Sequence, residues 1–371
     1  MKYVDEFRDG ARAQQLAEQI HREVEPDRHY RFMEFCGGHT HAIFRFGVHD
    51  LMPENLKYVH GPGCPVCVLP AGRIEAAIAL AEDENVILCS YADLMRVPAG
   101  KGDSLNRAKA RGADIRMIYS SSDALSIARE NPDRQVVFFA IGFETTTPPT
   151  AVAIEMARRE GLKNFTVFCN HVLTPPAMQH ILASGEACID GILGPSHVST
   201  IIGSAAYADC SRRYKMPLVI AGFEPLDVIQ STLMLVRQVN ASRFEVENQY
   251  SRAVTSTGNQ KAQALMAEVF ELRDQFEWRG LGDLPGSAVR IRPANATFDA
   301  EDRFKVQAVQ TADIKGCICP EVLRGVSDPS ACKLFATACT PEEPKGACMV
   351  SSEGACAAQY SYGRFRAEVK Q

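Results

Sequence analysis

No run of 18 or more apolar residues occurs in the sequence, so no membrane-spanning helix is expected. The N-terminal stretch MKYVDEFRDGARAQQLAEQI has no apolar core of signal-peptide length. No long Lys/Arg run is present and the formal net charge is −5, which argues against a nucleic-acid partner. Neither G-x-G-x-x-G nor G-x-x-x-x-G-K-[ST] occurs, so there is no dinucleotide fingerprint and no Walker loop. These absences point to a cytosolic protein, where thiols stay reduced and clustered cysteines serve metal or redox chemistry rather than a disulfide framework.

Cysteine is what the chain has in quantity. Of thirteen, six fall at or after residue 317. Cys319, Cys332, Cys339 and Cys356 are spaced C-x12-C-x6-C-x16-C. Four thiolates can hold zinc or a [4Fe–4S] cluster. The long gaps differ from the paired C-x2-C knuckles of structural zinc sites and favour iron–sulfur. Cys317 and Cys348 are two spare thiols that nothing physical excludes from the ligand set. A second group lies upstream, with Cys36 in CGGHTH and Cys64 and Cys67 in GPGCPVC. Two glycines after a strand let Cys36 project from a tight turn. Its thiol would be activated by a helix N-terminus or by His39 or His41. C-P-x-C brings two sulfurs close enough to share a metal or form a disulfide.

Short apolar segments alternate with helical ones from residue 30 onward, as in βαβ units and parallel sheets. Strands are expected near 31–35, 58–60, 86–90, 115–119, 136–141, 165–169, 191–193 and 217–221. The Phe35-Cys36 to Gly61-Pro62 interval returns 133 residues later as Phe168-Cys169 to Gly194-Pro195, which suggests a duplicated α/β unit. The fold class is therefore α/β, with two related Rossmann-like domains at 25–118 and 119–235. A cysteine-rich domain at 236–371 follows, irregular and helical, with the N-terminal helix (1–24) packed on it. Residues 228–275 read as helical and 278–298 as irregular linker. The cysteine-rich tail is too poor in apolar surface to fold without a metal staple.

Ligands of open α/β sheets gather at strand C-termini, and three carboxylates stand there: Asp93, Glu144 and Glu224. Each is a proton acceptor or an ordinary helix cap. His197 and Asn170-His171 are further cleft candidates. Glu353, three residues before Cys356, is placed for proton or electron traffic beside the four thiolates.

CGGHTH, HGPGCPVC, GFETT, GFEPLD, C-x12-C-x6-C-x16-C and MVSSEGAC stand together in this order. The set closely resembles the hydrogenase maturation factor HypD family over essentially the whole chain. That resemblance implies a metallocentre-assembly scaffold rather than a turnover enzyme. It would work with the small chaperone HypC to build the Fe(CN)2CO unit of [NiFe]-hydrogenases. Cyanide would come from HypE, carbamoylated through HypF. Cys36 would bind the iron, and Cys64 with Cys67 would be a redox-active pair. Cys319, Cys332, Cys339 and Cys356 would hold a [4Fe–4S] cluster, and His39, Asp93 and Glu353 match positions important in the family. Two departures fall in the cluster loop: Pro320 where Gly is usual, and Ala336 where the family has LFG. Neither removes a ligand. The competing reading is a thiol–disulfide oxidoreductase using Cys64 and Cys67, with structural zinc in the tail.

Overall fold

The computed structural model describes residues 5–307 and 311–363. Nine strands carry the fold: β1 Tyr30–Glu34, β2 Leu56–His60, β3 Val86–Ser90, β4 Ile115–Met117, β5 Gln135–Gly142, β6 Phe165–His171, β7 Gly191–Gly194, β8 Leu218–Ile220 and β9 Val246–Asn248. They form two sheets, ordered β2-β1-β7-β8-β9 and β4-β3-β5-β6. Every neighbouring pair is parallel. β3, β5 and β6 are buried along almost their whole length, which is why they read as continuous apolar runs rather than alternating ones. Counted along the chain, each sheet follows the doubly wound order in which the second strand lies outside the first. The α/β class with two Rossmann-like sheets holds, and the cysteine-rich segment has only short helices and turns.

The threading differs from the linear division at residues 118 and 119. β1 and β2 belong to one sheet, whereas β3 and β4, from the same segment, belong to the other. The second sheet is thus inserted between β2 and β7. The 133-residue echo aligns β1 with β6, the strand that starts one sheet with the one that ends the other, so it is not a repeat of topology. Apolar runs announce strands, but neighbours are chosen by contacts far apart in sequence.

The N-terminal helix, Gly10–Glu23, buries Ala13, Ala17 and Ile20 in a cluster with Val228, Leu235 and Val236 of the Pro225–Asn240 helix. That seat on the first sheet's covering helix replaces the expected one on the cysteine-rich segment. Residues 228–275 are not helical throughout, because β9 lies within them. The expected linker at 278–298 carries two short strands, Gly282–Pro285 and Val289–Ile291, which pair antiparallel with Gln275–Trp278 and Phe270–Leu272 just before it. The C-terminal segment does not stand alone. Leu323, Met349, Val350 and Ala357 enter the largest core cluster with Met33, Val66 and Phe139. Among the described residues, no helix is long and apolar enough to cross a membrane.

Strand order reverses between β1 and β7 in the first sheet and between β3 and β5 in the second. Such switch points open crevices at strand C-termini. Cys36 and His197 follow the first pair, and Asp93 and Glu144 follow the second.

Candidate functional site

Cys36 is the N-cap of the Gly37–Arg45 helix, directly after β1. Its thiol accepts backbone hydrogen bonds from Gly38 and His197 and lies 3.8 Å from His197 Nδ1. Two helix starts therefore aim N–H groups at one sulfur. Burial outweighs them, and with the charges of Glu353 and Glu34 it pushes the Cys36 thiol well above the ordinary cysteine range. The site as built holds a protonated thiol that a metal ion would have to deprotonate.

Three glycines let other elements close on this turn. A Cβ at Gly63 would stand 2.5–2.8 Å from the Cys36 backbone. One at Gly37 would meet Glu353, and one at Gly38 the Phe223 ring. The GPG loop also accepts the Gly37 N–H at the Gly63 carbonyl, 3.3 Å away. CGGHTH, GPGCPVC, GFEPLD and SSEGAC thus converge on one point from four parts of the chain. Outside it opens a cleft of about 400 Å³ lined by Gly38, His41, His197, Phe223, Glu353 and rim arginines Arg8 and Arg45.

His39 is fully buried, and burial pulls its pKa down to about 4. Its Nε2–H donates to the Ala221 carbonyl at 2.9 Å, while Nδ1 is buried without a partner. A neutral imidazole has one N–H. His39 has spent its own on Ala221, so it is a neutral ring and not the charged group expected to activate the Cys36 thiol. Glu34 went unrecognised in the sequence. It accepts from Cys36 N at 3.0 Å, from Thr40 Oγ1 and from His60 Nδ1 at 2.9 Å. The signal was present, since Glu34 is an acid at the end of β1, between Met33 and Phe35 and two residues before the key cysteine.

The remaining thiols form a ladder. Cys67 hydrogen-bonds with Cys64 and Cys348, and Cys348 in turn with Cys319 and Cys356. The Cys348 N–H points at Cys319 Sγ from 3.3 Å. Cys317 bonds to Cys319, and Lys345 N–H donates to Cys339 Sγ at 3.3 Å. Cys332 lies at the margin, 3.9 Å from the Gly316 carbonyl. At Cys67, the Cys348 bond lowers the pKa, but the Cys64 bond and burial raise it further, and the thiol stays protonated. Cys348, a spare in the sequence, is the rung that joins the C-P-x-C pair to the tail.

Asp93 sits in the short helix after β3. Together with burial and Glu34, its charge raises the Glu353 pKa. The inserted sheet thereby reaches the same acidic corner as Cys36. Glu144 does not join it, whereas Glu224 lines the cleft beside Phe223. Glu144 is buried and accepts from Thr174 N and Oγ1, both at 2.9 Å. Glu224 caps the Pro225–Asn240 helix and pairs with Arg8. His171 is buried against Thr150, and Asn170 accepts from Arg73, so both are structural.

The family model described as "HypD: Hydrogenase formation hypA family" matches residues 11–363. The hydrogenase maturation factor HypD of Azotobacter vinelandii is 63% identical, covering 100% of this chain and 99% of that protein. The HypD of Cupriavidus necator is 60% identical, with 99% and 98% covered. That of Escherichia coli strain K12 is 47% identical, with 99% and 100% covered. With four of the six motifs gathered around one buried thiol, this likeness over the full length establishes that the chain belongs to the HypD family of hydrogenase maturation factors.

Proposed function

We propose that the chain is the scaffold on which the Fe(CN)2CO unit of [NiFe]-hydrogenases is assembled, in complex with a HypC-type small chaperone. One observation carries this reading. The Cys36 backbone packs on Gly63 of the loop that carries Cys64, and thiol contacts run from Cys64 and Cys67 through Cys348 to Cys319 and Cys356. The cargo is low-spin iron, a soft centre that favours thiolates. Cys36 would hold it with a thiol of the chaperone, and the Gly38 and His197 N–H groups would steady the Cys36 thiolate. Cyanide would arrive as a thiocyanate from HypE, carbamoylated through HypF. Splitting R–S–CN into R–S⁻ and CN⁻ consumes two electrons. Oxidation of Cys64 and Cys67 to a disulfide releases two electrons and two protons, so the step balances. One proton would go to R–S⁻ and the other to Glu353, which lies beside Gly37.

The tail thiols fit a [4Fe–4S] cluster in donor chemistry, with Cys319, Cys332, Cys339 and Cys356 as ligands. Among the described residues, no three His, Cys, Asp or Glu side chains form a single-ion cage. A cluster does not require one, because its ligands stand at separate irons. When bound, the cluster would supply single electrons. A second ligand set, with Cys317 replacing Cys319, has one observation in its favour: the two thiols are in contact.

Infrared spectra of anaerobic protein purified with its chaperone test the reading, because metal-bound cyanide and carbonyl absorb where protein is nearly transparent. Cys36→Ala is expected to lose those bands. Cys64→Ala and Cys67→Ala are expected to lose them while keeping iron, sulfide and the cluster's visible absorption. Normal bands in all three variants would refute the role. Zinc in place of iron would favour the oxidoreductase. Iron content in Cys317→Ala beside Cys319→Ala decides the fourth ligand.

A further inference from the structure

We propose a second binding site, for a small oxyanion of the phosphate class, between β1, β2 and the turn at residues 325–328. A cavity of about 330 Å³ lies there, lined by Arg31, Lys57, His60 and Asp328 among others. Arg31 of β1 is the register partner of Lys57 of β2, so both side chains leave the same face of the first sheet. Like charges placed directly across a pair of strands repel and destabilise it. Among the described residues, neither cation has a carboxylate partner. The Nε of Arg31 is also buried with no hydrogen-bond acceptor, a costly state for a charged donor.

The nearby acids do not relieve this. Asp190 accepts the Arg31 backbone N–H at 2.9 Å. Asp328 takes Ser330 N at 2.8 Å, Ser330 Oγ and Gln359 Nε2 at 3.2 Å, all on Oδ1, and lines the cavity without pairing with either cation. His60 is held at Nδ1 by Glu34. A pair of cations, the half-buried Arg31 with an unmet N–H and the exposed Lys57, matches an oxyanion. The guanidinium fork binds two of its oxygens, the ammonium takes a third, and the repulsion becomes a shared attraction. The turn at residues 325–328 follows the Cys319–Leu323 helix, so an anion here would clamp the cysteine-rich segment to the first sheet. The site is separate from the Cys36 cleft and does not depend on the assembly role.

Equilibrium dialysis of the full chain against radiolabelled inorganic phosphate, kept anaerobic at fixed ionic strength, tests the site. One phosphate is expected to bind with Kd of about 1 mM or tighter. Arg31→Gln and the exposed-side Lys57→Gln are each expected to weaken it at least about tenfold. Adenosine monophosphate is the second arm. Competition assigns the site to a phosphate group carried on a nucleoside, and no competition assigns it to the free anion. Absence of binding at about 10 mM phosphate, or binding unchanged in both variants, overturns the proposal. Lys57→Glu supplies its own carboxylate and is expected to raise the melting temperature while abolishing phosphate binding. A Lys57→Glu protein that still binds phosphate also overturns it.

Discussion

Gly63 shows how tightly the Cys36 turn is built. A methyl group there would meet backbone atoms of Cys36 at 2.5–2.8 Å, and backbone cannot rotate out of the way. Gly63→Ala is expected to cost at least about 2 kcal/mol, whereas Gly10→Ala, with open space around it, should change stability by less than about 0.5 kcal/mol. Chemical unfolding of the two variants decides this, and equal effects would mean the loops are not in contact. The sequence announced the glycines but not what they touch, because the partner of Gly63 lies in another motif. Titration can also be argued one residue at a time. Burial pushes the Glu144 carboxyl up to about 7 from 4.5 and pulls His171 down to about 3 from 6.5. Between pH 4.5 and 7 the folded state holds the extra proton on Glu144, so its contribution is full below 4.5 and fades as pH rises through 7. For His171 the unfolded state holds the extra proton, so stability is lost as pH falls below 6.5. From pH 6.5 to 4.5 the two slopes oppose, each about 1.4 kcal/mol per pH unit. Glu144→Gln removes one of them. The variant should lose stability on acidification faster than the parent by about that amount per unit. Parallel profiles of melting temperature against pH would contradict the assignment.

Elements were legible where burial made them so. β5 and β6 are buried along almost their whole length and largely apolar, and their runs were visible without any structure. β9 was not visible, because Val-Glu-Asn is three half-buried residues with no run and no alternation. The pairing of β1 with β7 escaped for a different reason: nothing near Phe32 says that Gly191 will lie beside it. Cys348 was equally unreadable, since its meaning comes from Cys67, far away in sequence. The elements are locked by one charged knot that the sequence also hid. Arg73, in the Ala71–Ala81 helix, bonds Glu301 at 2.5 Å, the Cys169 carbonyl at 3.1 Å and Asn170. Its guanidinium lies 4.2 Å from the centre of the Phe168 ring. Arg273 holds the other oxygen of Glu301. Glu301 thus neutralises two mostly buried cations and ties β6 to helices from both ends of the chain. Glu301→Gln keeps the shape but leaves both arginines uncompensated. A loss of about 3–5 kcal/mol is expected, read from denaturant midpoints. A loss below about 1 kcal/mol would mean that water already solvates the pair.

In the whole molecule, the C-terminal segment acts as the lid and fourth wall of the site rather than as an appended domain. Arg96 of the inserted sheet's loop donates to the Pro341 and Val350 carbonyls at 2.7 and 2.9 Å. Tyr362 meets His41 edge-on, with centroids 5.3 Å apart. Glu353 fills the space over Gly37, and Ala347 closes on Cys67. With the segment in place, Cys36 is 5% and Cys67 1% exposed. A metal staple in this segment would therefore stabilise more than its own loops, because Met349, Val350 and Ala357 complete the core that Met33 and Val66 begin. Deleting residues 312–371 should strip that cover. Alkylation of Cys36 and Cys67 by iodoacetamide, followed site by site with peptide mass spectrometry, is expected to speed up at least about tenfold. The full chain treated with an iron chelator should stay slower than the truncated one, because the apolar contacts of the segment do not depend on a metal. If the truncated chain reacted at the full-length rate, the first sheet would be closing the site by itself. The convergence of four motifs on Cys36 would then be a matter of adjacency alone.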